Sequence, residues 1–196
     1  YRVTELPVDA QGRLDLDELE SAIDHDTALV TIMTANNETG VIFPIDAIAR
    51  ICQAKGAIFH TDAVQAVGKI PLDLNKIPLD LLSISGHKLH APKGIGALFV
   101  RRGTRVAPYL VGGHQEFGRR AGTENVPGII ALGKACQLAA RDIALENTRV
   151  RALRDRLERG LLGACPYTRV NGDPQRRLPN TTNISFEYIE GEAILL

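Results

Sequence analysis

The sequence is poor in the residues on which disulfide-rich and metal-bound domains depend. It has no tryptophan and only three cysteines in 196 residues: Cys52, Cys136 and Cys165. An odd number of widely spaced cysteines argues against a disulfide framework and is typical of reduced thiols in a cytoplasmic protein. No group of His, Cys, Asp and Glu has metal-ligand spacing, so no metal site is predicted.

An excess of charge of one sign is also missing. Lys and Arg together number 23, as do Asp and Glu, and the pI is near 7.1. This balance gives no electrostatic reason to expect nucleic acid or a membrane surface as a partner. No apolar run approaches the roughly 20 residues that a membrane-spanning helix needs. The composition indicates a globular protein with room for one large domain, or for one domain and part of another.

Helical and strand patterns alternate along the first half of the chain. Helices are predicted at residues 14–23 and 45–55, the second ending at Gly56. Strands are predicted from four apolar runs, at residues 28–34, 57–61, 80–85 and 95–100. Alternation of this kind predicts an α/β fold with a mostly parallel sheet, and the first strand, apolar throughout, is expected to be covered on both faces. The short loop before the fourth strand predicts a hairpin, which makes the sheet mixed.

The second half of the chain has a different organisation. A long helical pattern covers residues 126–163, with an apolar stripe that includes Leu153 and Leu157. Short strands are expected at 167–170 and 183–186, with the turn-rich stretch NGDPQRRLPN between them. We therefore predict part of a large domain at 1–125, a bridging helix at 126–163 and the start of a smaller α+β domain at 164–196.

Polar side chains follow each of the first three predicted strands. They are Asn37 after the first strand, Asp62 and Gln65 after the second, and Ser85, His87 and Lys88 after the third. In open parallel sheets, ligands bind outside the carboxyl ends of the strands. We therefore expect these side chains to meet in one crevice.

The combination of side chains fits the needs of pyridoxal phosphate. This cofactor needs a lysine for a Schiff base and a carboxylate beside its ring nitrogen, which Lys88 and Asp62 can supply. Asn37 and Gln65 offer donors for the phenolic oxygen, while the hydroxyl and imidazole after the third strand suit the phosphate. The 26 residues from Asp62 to Lys88 match one helical crossover between neighbouring strands.

Simpler interpretations exist for each of these residues. Lys88 could be a solvated loop residue, Asp62 a helix N-cap and Asn37 a turn residue. His60, inside the second strand, is interpreted as a core histidine with its hydrogen bonds satisfied. The glycines Gly94 and Gly96 are weak evidence for a phosphate loop, because they precede a strand rather than a helix.

Four segments of the sequence resemble the pyridoxal-phosphate-dependent cysteine desulfurases of the NifS/IscS class: TANNETG, HTDAVQAVGK, SISGHKLHAPKGIGALFVRRG and RRAGTENV. The resemblance covers essentially the whole chain, and RRAGTEN and GGHQE look closest to the nitrogen-fixation branch. It implies the fold-type-I pyridoxal-phosphate transferase fold. The implied reaction converts L-cysteine to L-alanine and passes the sulfur, as an enzyme persulfide, to iron–sulfur cluster assembly, including that of nitrogenase.

The resemblance also implies roles for individual residues. Lys88 forms the Schiff base and later moves protons, and Asp62 pairs with the pyridinium nitrogen. Gln65 and Asn37 contact the phenolic-oxygen side of the cofactor.

The phosphate side of the site is implied in the same way. Ser85 and His87 bind the phosphate, and Thr123 in AGTEN reaches the phosphate of the neighbouring subunit, which implies a homodimer. An iron–sulfur scaffold or another sulfur acceptor is the implied protein partner.

The chain also departs from the family pattern. No cysteine matches the catalytic position, and the substrate-carboxylate arginine and cofactor-stacking histidine of the family find no match. Because Tyr1 is not a methionine, we expect an internal piece of a longer protein, with the catalytic cysteine loop after Leu196. A selenocysteine lyase or another class V aminotransferase-like enzyme is the alternative activity. A non-catalytic docking relative is a further alternative, against which an intact Lys88 argues.

Overall fold

The computed structural model of the protein describes residues 2–195. Its strands are β1 (Leu29–Met33), β2 (Ile58–Asp62), β3 (Leu81–Ser85), β4 (Gly96–Val100), β5 (Thr168–Val170) and β6 (Ile184–Phe186). Its helices are α1 (Leu16–Ala22), α2 (Ile45–Lys55), α3 (Gln115–Gly118), α4 (Val126–Leu145), α5 (Arg151–Ala164) and α6 (Gly191–Leu195). A 3₁₀ turn covers Gly86–Leu89, and a π turn covers Glu146–Val150. No helix in the described residues is long and apolar enough to cross a membrane.

The main sheet has the strand order β1-β2-β3-β4. The first three strands are parallel and β4 is antiparallel to β3. The predicted α/β fold with a mixed sheet is therefore confirmed, and each of the four predicted strands agrees with the structure to within one residue at either end. Since β1, β2 and β3 run in the same direction, their carboxyl ends lie at one edge of the sheet.

One face of the sheet carries the core. Val30, Phe59 and Leu82 point to this face and pack with Ile48 and Cys52 of α2. Burial of this kind stabilises the fold by about 25 cal/mol for each Å² of apolar surface removed from water. The core therefore fixes the positions of β1, β2 and β3 relative to one another.

The other face of the sheet is open in the described part of the chain. Leu29 and Met33 of β1 are 50% and 39% exposed, and Leu98 of β4 is 49% exposed. The expectation that the first strand is covered on both faces is wrong for residues 2–195. The apolar pattern was read correctly, but α1 and α2 cover one face only.

The helix limits follow from local capping. The side chain of Asp15 accepts hydrogen bonds from the amides of Asp17 and Glu18, so α1 begins at Leu16 instead of residue 14. Helix α2 has the predicted limits, and Gly56 ends it in the left-handed conformation, with φ 75°. Glycine adopts this conformation without the steric cost that a Cβ imposes.

The connection between β2 and β3 differs from the prediction. Residues 63–80 form successive turns rather than a crossover helix. Gly68 is left-handed, with φ 77°, and Pro71 follows it, so the first helical turn cannot continue. A Cβ on Gly68 would lie 2.7 Å from Leu89 Cδ2, which shows how closely this turn approaches the 3₁₀ turn.

The long helical segment extends from Val126 to Ala164 but contains the π turn in its middle. Here Asn147 donates to the backbone oxygens of Lys69 and Ile143, and Lys69 Nζ lies 3.2 Å from Glu146 Oε1. The turn therefore lies where the helix is tied to the connection after β2. The division into domains at residues 125 and 163 stays a prediction.

The stretch between β5 and β6 packs against the loop that follows β1. Leu178 is 2% exposed, and Ile42 donates its amide to the carbonyl of Arg176. Arg177, 5% exposed, forms two contacts with the Glu158 carboxylate of α5, at 2.6 and 2.7 Å. This turn-rich stretch thus contributes a buried ion pair to the fold.

Candidate functional site

Asp62 is the last residue of β2, and its carboxylate is exposed. Its Oδ1 accepts the amide of Val64 at 2.8 Å, which forms a short turn. The interpretation of Asp62 as a helix N-cap is wrong, because the residues after it form turns and no α-helix. Within the described residues Oδ2 accepts no hydrogen bond, so the carboxylate is available to a ligand.

Lys88 lies in the 3₁₀ turn directly after β3, on the neighbouring strand end. Lys88 and His87 are exposed, and Lys88 forms no salt bridge with any carboxylate in residues 2–195. Ser85 Oγ and His87 Nδ1 are 2.7 Å apart, so a hydroxyl and an imidazole are paired beside the free amine.

The position of the Lys88 turn is fixed by packing. Leu89 is 5% exposed and packs with Leu132 and Ala135 of α4. Gly86 donates its amide to the carbonyl of Ile95, and a Cβ on Gly86 would lie 2.7 Å from Ile95 Cγ2. Glycine is therefore required here, and the buried Leu89 leaves its neighbour Lys88 on the solvent side.

The other predicted site residues differ in their surroundings. Asn36 Oδ1 accepts hydrogen bonds from the amides of Glu38 and Thr39. It thereby folds the loop after β1 and leaves Asn37 exposed. Gln65 is half-buried in the turn after Asp62.

The structure brings five predicted residues to one edge of the sheet: Asn37, Asp62, Ser85, His87 and Lys88. Thr123 is exposed and lies on the segment before α4. It makes no side-chain hydrogen bond to the other site residues in the described part of the chain.

The sequence did not predict the row of hydrogen-bonded side chains that lies beside Asp62. Thr31 Oγ1 and His60 Nδ1 are 2.8 Å apart, and His60 Nε2 and Ser83 Oγ are 2.7 Å apart. Burial lowers the pKa of His60, although the Asp62 carboxylate acts in the opposite direction, and the shift favours the neutral ring.

The interpretation of His60 as a satisfied histidine agrees with these contacts, but the ring is half-buried on the open face and is not in the core. The sequence does show that His60 and Asp62, two residues apart in one strand, share a face. It does not show which residues of β1 and β3 stand beside them.

The chemistry that this edge of the sheet can support follows from the polar side chains that lie there. It combines a free amine, a carboxylate, a hydroxyl–imidazole pair and an exposed amide. The described residues contain no group of three His, Cys, Asp or Glu side chains that could hold a metal ion. The set suits an anionic ligand with an electrophilic carbon better than a cation.

The family of the chain follows from a comparison with models of protein families. The model of the aminotransferase class-V family matches residues 1–196. The chain belongs to the aminotransferase class-V family.

Curated relatives of the chain are named cysteine desulfurases. The chain is 66% identical over 197 residues to "Cysteine desulfurase 2" of Trichormus variabilis, covering 100% of this chain and 49% of that protein. It is 59% identical over 196 residues to "Cysteine desulfurase NifS" of Azotobacter vinelandii, again covering 100% of this chain and 49% of the relative. The chain thus spans about half the length of the curated relatives it matches.

A solved structure supports the same relationship. A protein described as "NIFS-LIKE PROTEIN" superposes with a TM-score of 0.94 at 40% identity, covering 99% of this chain and 53% of that one. The predicted fold-type-I transferase fold and the resemblance to the NifS class are therefore confirmed.

The residues of the edge fit the cofactor of the class-V family. Class-V aminotransferases are pyridoxal-phosphate enzymes. In this chain an uncommitted amine on Lys88 and an open carboxylate oxygen on Asp62 lie at neighbouring strand ends. The paired Ser85 and His87 supply polar groups for a phosphate. The donor set therefore agrees with the cofactor that the family uses.

Cys52 can be excluded as a nucleophile at neutral pH. Its side chain is fully buried in the core, and burial, with the nearby Asp80 carboxylate, raises its pKa to about 11. At pH 8 only about one part in a thousand is thiolate, the reactive form. The interpretation of Cys52 as a buried structural thiol is confirmed, while Cys136 is half-buried.

We expect Cys52 to resist alkylation by iodoacetamide at pH 8 in the folded protein. The thiol is both protonated and closed to the reagent, so peptide mass spectrometry should find it unmodified. The same protein unfolded in guanidinium chloride is the control and should be labelled fully. Equal labelling rates in the folded and unfolded protein would contradict the assignment.

Proposed function

We propose that the protein is a pyridoxal-phosphate-dependent cysteine desulfurase that works as part of a longer chain, called here the full-length protein. The observation that carries this proposal is the free Lys88 amine, held on a packed turn at the strand end next to Asp62. The identity to proteins named cysteine desulfurase supports the choice of reaction. A solved relative described as "SspA in complex with cysteine", at 34% identity and a TM-score of 0.81, supports L-cysteine as the substrate.

We assign the cofactor contacts as follows. Lys88 Nζ would bind the aldehyde carbon of the cofactor, and the Asp62 carboxylate would accept a hydrogen bond from the protonated ring nitrogen. Asn37 and Gln65 donate toward the phenolic oxygen. Ser85 and His87 hold the phosphate. The hydrogen bond between them already orients both side chains.

The reaction then depends on where Lys88 is held. When bound, pyridoxal phosphate supplies an electron sink for the charge left at Cα of the amino acid. With the cofactor and substrate bound, Lys88 Nζ would be the group that takes the Cα proton as a general base. The buried Leu89 fixes the turn that carries Lys88, and the Asp62 carboxylate would supply a negative charge beside the ring nitrogen.

Sulfur transfer needs a nucleophilic thiolate, and we propose that it lies in the part of the relatives' length that this chain does not span. Cys52 is excluded by its burial and raised pKa. Cys136 packs against the buried cluster of Leu89 and Leu132, and Cys165 follows the last residue of α5.

The partners follow from the same assignment. We propose a homodimer in which Thr123 contacts the cofactor phosphate of the second subunit, because Thr123 is exposed and makes no side-chain hydrogen bond to the other predicted site residues within residues 2–195. A scaffold protein for iron–sulfur clusters, in the cytoplasm, is the proposed sulfur acceptor. The identity to the NifS protein of Azotobacter vinelandii favours a role in nitrogen fixation.

The test compares the full-length protein with the 196-residue chain. We expect the full-length protein to be yellow, to lose this colour with borohydride and to release sulfide from L-cysteine with a reductant. The 196-residue chain alone should not exceed free pyridoxal phosphate, because the nucleophile is missing. A colourless full-length protein would contradict the proposal and favour a docking protein. Faster turnover of L-selenocysteine than of L-cysteine would favour a selenocysteine lyase.

A further inference from the structure

We propose that His60 is a positioning residue that keeps the Asp62 carboxylate free for the cofactor, by holding the hydroxyl of Ser83 away from it. This inference rests on the proposed function, since it assigns Asp62 to the cofactor. Asp62 and Ser83 are direct partners in the register of β2 and β3. Their side chains therefore share the open face, where paired positions have Cβ atoms about 5 Å apart.

The hydroxyl of Ser83 is a natural partner for this carboxylate. A serine donates one proton, and an ionised carboxylate is a stronger acceptor than a neutral imidazole nitrogen. Ser83 Oγ lies 2.7 Å from His60 Nε2, and no Ser83–Asp62 hydrogen bond occurs in the described residues. In the proposed arrangement, His60 rather than Asp62 accepts the single Ser83 proton.

The direction of the hydrogen bonds follows from this competition. If His60 Nε2 carried the proton, the Ser83 proton would be free and the neighbouring Asp62 would accept it. With the proton on Nδ1, His60 donates to Thr31 Oγ1 at 2.8 Å and accepts from Ser83 through Nε2. All three groups are then satisfied, and Asp62 keeps one oxygen unused. The proposed arrangement therefore requires the Nδ1–H tautomer of His60.

The same strands provide an internal control on the opposite face. Thr34 Oγ1 and Thr61 Oγ1 are 2.8 Å apart and fully buried, and they join the residue directly after β1 to β2 on the covered face. Replacing both by valine removes a cross-strand hydrogen bond without touching the face of Asp62. A purely structural role of His60 predicts similar effects at both sites.

The first experiment measures the affinity of the full-length apoprotein for pyridoxal 5′-phosphate by absorbance titration. We expect His60→Phe, which frees the Ser83 proton, to weaken binding about tenfold, the effect of diverting one hydrogen bond at a charged group. Adding Ser83→Ala should restore the affinity to within about threefold of wild type, because the competing donor is gone. The pH at which the spectrum of the bound cofactor changes should shift in His60→Phe and return in the double variant.

The outcomes of this experiment distinguish a positioning role of His60 from a purely structural role. Loss in His60→Phe that Ser83→Ala does not rescue, or equal loss in the Thr34→Val/Thr61→Val control, would overturn the inference in favour of a structural role. If His60→Phe does not fold, Thr31→Val gives the same test, because removing the Nδ1–H acceptor favours the other tautomer. Its loss of affinity should be smaller and should also be cancelled by Ser83→Ala.

The second experiment is independent of the cofactor. Nitrogen-15 NMR of the full-length apoprotein should show His60 protonated at Nδ1 and unprotonated at Nε2 at pH 7. The opposite tautomer would overturn the inference even if the cofactor binds. A wild-type protein that does not bind pyridoxal phosphate would refute the proposed function instead, while the tautomer would still be measured.

Discussion

Lys88→Ala in the full-length protein is expected to remove the borohydride-fixable attachment of the cofactor and to lower sulfide release from L-cysteine by about 10²- to 10⁴-fold. This range is the usual loss when a positioned general base is removed. The substitution also removes the amine that binds the cofactor covalently, so binding by Asp62, Ser85 and His87 should remain but become reversible. Absorbance before and after borohydride, followed by desalting, measures this attachment.

The matched control is Lys93→Ala. Lys93 is an exposed lysine in the loop that follows the 3₁₀ turn, and it makes no salt bridge within residues 2–195. Its removal should change neither the attachment nor the rate by more than about twofold, since surface substitutions rarely matter. Cofactor fixed by borohydride in Lys88→Ala, in an amount equal to that of wild type after desalting, would exclude Lys88 as the Schiff-base residue.

Glu158→Ala is expected to lower the free energy of unfolding by about 3 to 5 kcal/mol, the usual cost of leaving one partner of a buried ion pair alone. The Arg177 side chain is 3% exposed and the Glu158 side chain 12%. Without the carboxylate, the guanidinium keeps its buried charge and loses both contacts, and Thr182 loses the acceptor of its hydroxyl. Urea unfolding of the full-length protein, followed by circular dichroism, measures the change.

The matched control for this pair is Asp46→Ala. Asp46 and Arg50 form an exposed salt bridge on α2, with side chains 54% and 62% exposed, so its loss should cost less than about 1 kcal/mol. Equal destabilisation by Asp46→Ala and Glu158→Ala would show that the burial of the Arg177–Glu158 pair does not determine the loss in the free energy of unfolding.

The same pair predicts a pH dependence. The hydrogen bond from Arg177 lowers the pKa of Glu158 below its ordinary value of 4.5. A carboxyl with a lowered pKa in the folded state stabilises the protein above its unfolded pKa and loses this contribution as the pH falls. Wild type should therefore lose stability below about pH 4.5 more steeply than Glu158→Gln, which does not titrate at this position.

Much of the fold was predictable because local signals agree with the tertiary structure. The apolar runs place β1 to β4 to within one residue, and Gly56 ends α2 as expected. The connection after Asp62 was predicted wrongly because Gly68 and Pro71 break the helix after one turn. The apolar stripe of Leu153 and Leu157 was read correctly as helical, but these side chains are 53% and 56% exposed. Periodicity identifies a helix face, but not whether another element covers it.

The candidate site, like the fold, was only partly predictable from the sequence. The meeting of Asp62, Ser85, His87 and Lys88 could be predicted because a parallel sheet places successive strand ends at one edge, while their roles stay predictions. The role of Thr123 also stays a prediction, and the strand order does not place this residue, which lies on the exposed segment before α4.

Two contributions to this protein can be separated. The sequence alone determined the strands, their order along the chain and the residues at their carboxyl ends, because these depend on local composition and on the regular geometry of parallel sheets. Only the tertiary structure decided that one sheet face is open, that Arg177 pairs with Glu158, and that His60 stands between Thr31 and Ser83. These features depend on the register between strands and on contacts between residues far apart in the sequence. No local pattern encodes either of them.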